Sequence, residues 1–159
     1  MTELERLRQA ALAYAASGLR VFPVLAGRKE PATPHGVKDA TTDPATIEAY
    51  WAAIPYLIGV ACGPESGVFV VDVDPRNGGE WTSPVPTVTV QSGGRYPIAE
   101  HPKGIDGGDG FCALGRHYIF AWPEGVAKMR PTLKPGIDII GAGKYVIVPP
   151  SVTQAEYVW

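Results

Sequence analysis

The stretch GVFVVDVD, residues 67 to 74, is an apolar run that ends in two aspartates, Asp72 and Asp74. Its β-branched composition predicts a β-strand. Alternate side chains of a strand share one face, so Asp72 and Asp74 project together with Val70, while the intervening valines point the other way. At a rise of roughly 3.3 Å per residue, the two aspartate Cα atoms lie about 7 Å apart. The strand therefore presents two carboxylates side by side at its end.

Two ionised carboxylates beside an apolar run are costly unless a cation compensates their charge. A third aspartate, Asp138, lies between two isoleucines in the β-type run IDII. Three aspartates on neighbouring strands would form the oxygen-rich site that Mg²⁺ or Mn²⁺ prefers, and such sites typically handle phosphate groups. The alternative is that Asp72 and Asp74 only end the strand and begin a turn, since Asp-Pro is common turn chemistry.

A histidine in another predicted strand could add a phosphate contact. His117 lies in GRHYIF, directly after Arg116 and downstream of the Ser-Gly-Gly turn at residues 92 to 94. Imidazole, a serine hydroxyl and glycine backbone amides are all suitable phosphate partners. The alternative is that His117 is a structural residue whose hydrogen bonds are satisfied within the sheet.

Two helices, with one strand between them, precede a series of short strands. Residues 3 to 17 predict an amphipathic helix that opens with a capping box at Thr2 and Glu5, and a second helix is expected from Pro44 to about Ala53. The predicted strands cover residues 19–25, 57–63, 67–74, 87–93, 116–122, 137–141, 144–150 and 156–159. Helices first and many strands later indicate an α+β sheet domain.

Bulk properties exclude several classes of protein. The chain has 159 residues and suits one domain, with 45% hydrophobic and 19% charged residues. No apolar stretch reaches the roughly 18 residues that span a bilayer, and the N-terminus shows no secretory signal, so we expect a cytoplasmic protein without a membrane partner. A net charge of −2 means that any contact with a polyanion must be local. Cys62 and Cys112 form no CxxC pair, so no zinc site is expected.

The motifs also occur in a recognisable order. The segments VFPVLAGRKEP, HGVKDATTD, GVFVVDVDP, SGG with GRHYIF, and GIDIIGAGKYVIVPPS resemble the primase-polymerase (prim-pol) domain of the archaeo-eukaryotic primase superfamily, from about Leu12 to Trp159. The resemblance implies a two-subdomain fold built around an RNA-recognition-like sheet, with N-terminal helices. It further implies a DNA primase or DNA polymerase that uses NTPs or dNTPs in phage or plasmid replication. Some relatives carry a zinc stem, but no suitable ligand spacing occurs here.

The resemblance assigns the acidic residues to catalysis. Asp72 and Asp74 match the paired metal-binding acids of the family, and Asp138 matches the third acid. Together they are expected to hold two Mg²⁺ or Mn²⁺ ions for nucleotidyl transfer. His117 matches the histidine that contacts the phosphates of the incoming nucleotide.

Further nucleotide contacts follow from the same resemblance. Ser92, Gly93 and Gly94 resemble the turn before the motif histidine, Arg116 stands beside that histidine, and Lys144 matches the segment after the third acid. In the family pattern the Ser-Gly-Gly turn runs almost directly into the histidine. Here residues 95 to 115 intervene, which predicts an inserted loop or protruding hairpin.

The expected partners are a single-stranded DNA template, a primer and a helicase. Arg28, Lys29 and Lys38 lie in the loop before the second helix, where they could meet template phosphates or simply form a solvated basic loop. The chain has no GxxxxGK[ST] phosphate loop, so a helicase motor would be C-terminal or separate. Because the sequence stops at EYVW, where the resemblance also ends, a fragment of a longer replication protein is expected.

Two rival functions remain compatible with parts of the sequence. An apolar strand that ends in Asp-x-Asp is also found in glycosyltransferases, which bind Mn²⁺ and a nucleotide-sugar, although the length and the GIDIIGAGKYVIVPPS segment speak against this class. A non-catalytic replication module that only binds DNA or a helicase is the second rival, and it would show no metal-dependent nucleotide incorporation.

Overall fold

A computed structural model describes residues 1–97, 105–106 and 111–152. The α-helices are α1 (Glu3–Ala16) and α2 (Pro44–Tyr50), and short 3-10 helices cover Gly36–Asp39 and Pro75–Asn77. The strands are β1 (Val21–Val24), β2 (Leu57–Ala61), β3 (Val68–Val73), β4 (Val88–Pro97), β5 (Ile105–Asp106), β6 (Phe111–Ala121), β7 (Thr132–Lys134), β8 (Ile137–Ile140) and β9 (Tyr145–Val148). The predicted α+β class is confirmed. No helix in the described ranges is long and apolar enough to cross a membrane.

Both predicted helices form and begin at their predicted caps. The Thr2 hydroxyl accepts a hydrogen bond from the Glu5 amide at 3.2 Å, and the Glu5 carboxylate accepts one from the Thr2 amide at 2.7 Å, which completes the capping box. Asp43 caps α2 by accepting a hydrogen bond from the Thr46 amide at 2.9 Å. The second helix ends at Tyr50, a few residues before the predicted end.

A three-stranded antiparallel sheet, in the order β1-β2-β9, carries the helices on one face. Residues of that face, such as Ile58 and Val60, are buried with Leu7 of α1 and Trp51 just after α2. The other face contributes Phe22 and Ile147 to a second cluster. Apolar residues thus line both sides of this sheet, which places it in the middle of the domain.

The second sheet is also antiparallel, in the order β4-β6-β3-β8-β7, with β5 paired to β6. Strand β3 lies between β6 and β8, so both of its edges are paired. Val70 joins the cluster shared with the three-stranded sheet, while Val71 and Val73 pack with Tyr118 on the opposite side. This arrangement explains why the strand is apolar on both faces until Asp72.

The long strands β4 and β6 continue into the segment between the Ser-Gly-Gly turn and His117. Arg95 lies opposite Ala113 and Pro97 opposite Phe111, after a shift of register that follows Ser92. Residues 98–104 and 107–110 lie outside the described residues, as does the whole of the strand predicted at 156–159.

Strand β7 was not predicted from the sequence. Its three residues are all exposed and lie between two prolines, so they lack the apolar alternation that marks a half-buried strand.

Candidate active site

Strand register places three of the predicted site residues in one row across the second sheet. Asp72 of β3 lies directly opposite His117 of β6 on one side and opposite Asp138 of β8 on the other. Opposed residues in an antiparallel pair point to the same face, with Cβ atoms about 4.5–5.5 Å apart. The row continues to Val90 of β4 and Thr132 of β7, so it crosses five strands.

The row changes from buried to exposed along its length. Nε2 of His117 lies 3.4 Å from Oδ1 of Asp72, and the two side chains are 11% and 32% exposed, respectively. Asp138 is exposed, and its Oδ1 accepts a hydrogen bond of 2.7 Å from the hydroxyl of Thr132. A ligand could therefore approach the two carboxylates from the Asp138 side while the imidazole stays enclosed.

The row lies at the border of the apolar contact between the two sheets. Val70, Ile119 and Ile140 occupy the same face two positions before the row, and they pack with residues of the three-stranded sheet. The packed core ends where Asp72 and Asp138 begin. A rigid apolar layer thus supports the polar row.

Asp74 follows on the same strand, but its carboxylate is engaged locally. It caps the 3-10 helix Pro75–Asn77 and accepts hydrogen bonds from the Arg76 amide and Nε, both at 3.0 Å, and from the Asn77 side chain at 2.9 Å. Burial alone would raise the pKa of Asp74, but the hydrogen bonds and charge of Arg76 outweigh that effect and the pKa is lowered. The carboxylate is ionised and paired at neutral pH.

Two glycines attach the Asp74 turn to the strand that carries Asp138. The Asp74 amide donates to the Gly136 carbonyl at 2.8 Å, and the Gly79 amide donates to the Asp74 carbonyl at 2.9 Å. A Cβ atom at Gly136 would lie 2.2 Å from the Gly79 backbone nitrogen, and Gly136 has φ +75°. Only glycine fits this backbone conformation and spacing without a shift.

Two of the three aspartates are placed where they could bind a hard divalent cation. Asp72 and Asp138 offer carboxylate oxygens that are opposed and accessible, and oxygen donors of this kind fit Mg²⁺ or Mn²⁺. Among the residues that the structure describes, no group of three or more histidine, cysteine, aspartate or glutamate side chains is arranged to hold a metal ion. The contacts of Asp74 give a physical reason, because its oxygens face Arg76 and Asn77.

Arg116 is not brought into the row. It lies opposite Val73, and its guanidinium donates to the Tyr118 hydroxyl at 3.4 Å, so it occupies the other face of the sheet from His117. Ser92 lies opposite Gly115, two positions along β6 from His117, with Gly93 and Gly94 following on the β4 backbone.

The other predicted basic residues gather near the start of β9, on the three-stranded sheet. Lys144 is exposed there, and the carbonyl of Lys29 accepts a hydrogen bond of 2.6 Å from the hydroxyl of the adjacent Tyr145. Lys38 lines a cavity of about 240 Å³ together with residues 142 and 143, directly before Lys144. Arg28 is exposed beside Lys29. These basic residues thus gather around the start of β9 and are not members of the aspartate row.

Sequence reasoning missed Thr132, Arg76 and the glycine pair. Thr132 lies in a strand that has no periodic signal, and its contact with Asp138 depends on the pairing of β7 with β8. A signal for the Arg76 contact existed in Asp-Pro-Arg, where a capping aspartate precedes a cation by two residues.

The fold and the row define an α+β domain with a candidate phosphate-handling site. A family model described as "Bifunctional DNA primase/polymerase, N-terminal" matches residues 11–159. The chain therefore belongs to the prim-pol family, which confirms the resemblance in the sequence. A search of the curated proteins finds no match.

Proposed function

We propose that this domain is a DNA primase/polymerase that transfers nucleotides from NTPs or dNTPs to a growing strand at the row formed by His117, Asp72 and Asp138. Family membership supports a primase/polymerase type of function for the domain. The observation that carries the more specific proposal is the register that aligns these three side chains on one sheet face.

The two opposed aspartates are the proposed metal ligands. Like charges directly opposite one another destabilise a sheet, so the pairing of Asp72 with Asp138 supports a role that needs both charges. Asp74 is the proposed third ligand, and it would have to exchange Arg76 and Asn77 for the ion. Two Mg²⁺ or Mn²⁺ ions at such a site would activate the primer 3′-hydroxyl and neutralise the triphosphate.

His117 is the proposed phosphate contact. Its enclosed imidazole lies beside Asp72, which limits the orientations of the ring. From that position the ring would donate a hydrogen bond to a triphosphate oxygen and hold the nucleotide in line for attack. Positioning of this kind supplies much of the rate in phosphoryl-transfer sites.

The basic residues near the start of β9 are proposed to meet nucleic acid or nucleotide phosphates. Lys29, Lys38 and Lys144 are exposed around one region, and their charge would compensate the net charge of −2 locally. We place the domain in cytoplasmic phage or plasmid replication, with a helicase in the same protein or a separate chain.

Primer extension tests the proposal. The natural chain, an Asp72→Asn variant and an Asp138→Asn variant are compared on a labelled primer–template with dNTPs and either Mg²⁺ or Mn²⁺. Glu48→Gln is the matched control, because Glu48 is an exposed acid on α2, on the helical side of the domain. We expect extension by the natural chain and control, and a loss of at least about 100-fold in both aspartate variants, since removing one anchoring charge misplaces the reacting groups.

Two results of this experiment would contradict the proposal. Undiminished extension by Asp72→Asn would refute the assignment of the row. DNA binding without incorporation, in every metal and with NTPs as well as dNTPs, would favour the non-catalytic replication module.

A further inference from the structure

A run of exposed basic residues borders the aspartate row on the side of Asp138. The segment KMRPTLK, residues 128 to 134, holds Lys128, Arg130 and Lys134 and no acidic residue. All three basic side chains are exposed, and none is paired with an acidic side chain of the described residues. We call residues 128 to 134 the β7 basic segment. In a chain with net charge −2, three unpaired cations within seven residues form a local positive surface.

Backbone and side-chain contacts hold this segment against the site. The Ile139 amide donates to the Pro131 carbonyl at 2.8 Å, and Thr132 lies opposite Asp138. Arg130 and Lys134 therefore lie within two positions along the chain of Thr132, the residue that is hydrogen-bonded to Asp138. A register shift follows Thr132, so Lys134 lies opposite Ile137, at the next position of β8 before Asp138.

Apolar packing fixes the segment while its charges face solvent. Met129 packs with the cluster on the opposite face of the sheet, which includes Ile137 and Ile139. Just upstream, Nε1 of Trp122 donates to the Val126 carbonyl at 2.8 Å. Lys128 and Arg130, on either side of Met129, are thus presented from an anchored backbone, so less conformational entropy is lost when they bind a ligand.

We infer that the β7 basic segment binds the phosphate backbone of the DNA strand that enters the site at Asp138. The inference rests on the proposed function and extends it, because none of these three cations was among the predicted DNA contacts. Lysine and arginine neutralise backbone phosphates without reading bases, so the contact is independent of sequence. It lies on the second sheet, whereas Lys29, Lys38 and Lys144 lie near the start of β9 on the first.

Salt-dependent DNA binding tests the inference without any catalytic step. Fluorescence anisotropy measures the affinity for a labelled single-stranded oligonucleotide at several NaCl concentrations, with no nucleotide present. The triple variant K128Q/R130Q/K134Q removes the three charges and leaves Thr132 in place. Each single-strand phosphate contact contributes about 0.7 to the slope of log K against log[salt], so three contacts predict a slope smaller by about 2. The control Arg8→Gln removes one cation from α1 and should leave the slope unchanged.

The inference would be overturned if the triple variant binds DNA with the same salt slope and affinity as the natural chain. It would also be overturned if the natural chain binds no DNA at low salt. A triple variant that unfolds is recognised by circular dichroism, and the single variants Lys128→Gln and Lys134→Gln then provide the test, each with a slope change of about 0.7. Tighter binding of the natural chain to anionic vesicles than to DNA would also refute DNA as the partner.

Steady-state kinetics separates this inference from the proposed function. If both hold, the triple variant raises the KM for primer–template at least about 10-fold and keeps its kcat at saturating DNA, because the lost interaction is uniform binding. If the natural chain incorporates no nucleotide but the salt slope still falls in the triple variant, the proposed function is refuted and DNA binding by the β7 basic segment is supported. If incorporation is normal and the slope is unchanged, only the DNA surface fails.

Discussion

The close contact between Gly136 and Gly79 makes a sharp prediction about how Asp74 is positioned. In Gly136→Ala, the new Cβ would lie 2.2 Å from the Gly79 nitrogen and 2.7 Å from the Gly79 Cα, both backbone atoms that cannot rotate away. The same residue has φ +75°, which disfavours any residue with a Cβ. Two separate penalties therefore act on one substitution.

The backbone penalty and the steric penalty of Gly136→Ala can be measured separately with a matched variant. Gly125 has φ +76° but nothing within 4 Å of an added Cβ, so Gly125→Ala carries the backbone penalty alone, about 1–2 kcal/mol. Gly136→Ala adds the cost of overpacking, about 1–3 kcal/mol. We expect a total loss of about 2–5 kcal/mol for Gly136→Ala, a large part of the 5–15 kcal/mol typical of a domain.

Urea unfolding of both variants measures the difference, and primer extension measures its effect on the site. Because Asp74 donates its amide to the Gly136 carbonyl, a shifted backbone moves Asp74 relative to Asp138. Gly136→Ala should lose primer extension under conditions where it is still folded, whereas Gly125→Ala should retain it. Equal destabilisation of the two variants would refute the steric argument.

Two further predictions concern the partners of the carboxylates. Thr132→Val keeps a β-branched shape but removes the 2.7 Å hydrogen bond to Asp138. In a metal titration of primer extension we expect about 10-fold weaker activation by Mn²⁺, with recovery in Thr132→Ser. An unchanged titration would contradict this role of Thr132. Arg76→Gln removes the charge and the guanidinium hydrogen bonds that help to lower the pKa of Asp74, and leaves the backbone amide and Asn77 contacts in place. Because the pKa of Asp74 is lower in the folded state than its ordinary value of 3.8, the ionised carboxylate stabilises the fold above that pH, and this stabilisation is lost as the pH falls. In thermal unfolding, the variant should therefore be less stable than the natural chain near pH 7 and similar to it near pH 2. A difference in stability that does not change with pH would refute this assignment.

The periodic parts of the fold could be predicted from the sequence because each one carries its own local signal. The capping box at Thr2, the Asp-Pro cap before α2 and the β-branched run of β3 all concern neighbouring residues, and the helices and strand that they predict are confirmed. The face shared by Asp72 and Val70 also follows from a period of two residues. Strand alternation therefore predicted which side of β3 carries the polar group.

The register between strands could not be predicted in the same way. That Asp72 lies opposite both His117 and Asp138 depends on pairings between residues 45 and 66 positions apart in the chain, which core packing decides and local sequence does not. The family resemblance supplied the grouping of these residues, and the register supplied its geometry. Arg116 is a different case, because the same period of two residues already sets it on the opposite face of the sheet from its neighbour His117.

The position of the row inside the sheet fixes Asp72 and Asp138 opposite one another. β3 is paired on both sides, so a displacement of Asp72 would disturb two ladders and the apolar layer that includes Val70. Opposed carboxylates in such a place repel each other, and relaxation of the backbone to separate them is costly. The repulsion is relieved most directly by a cation between them, and its electrostatic effect is strong because the positions are fixed before binding. Replacement of one acid by its amide should therefore leave the fold intact or slightly more stable while activity is lost, a combination that a purely structural role for Asp72 does not predict.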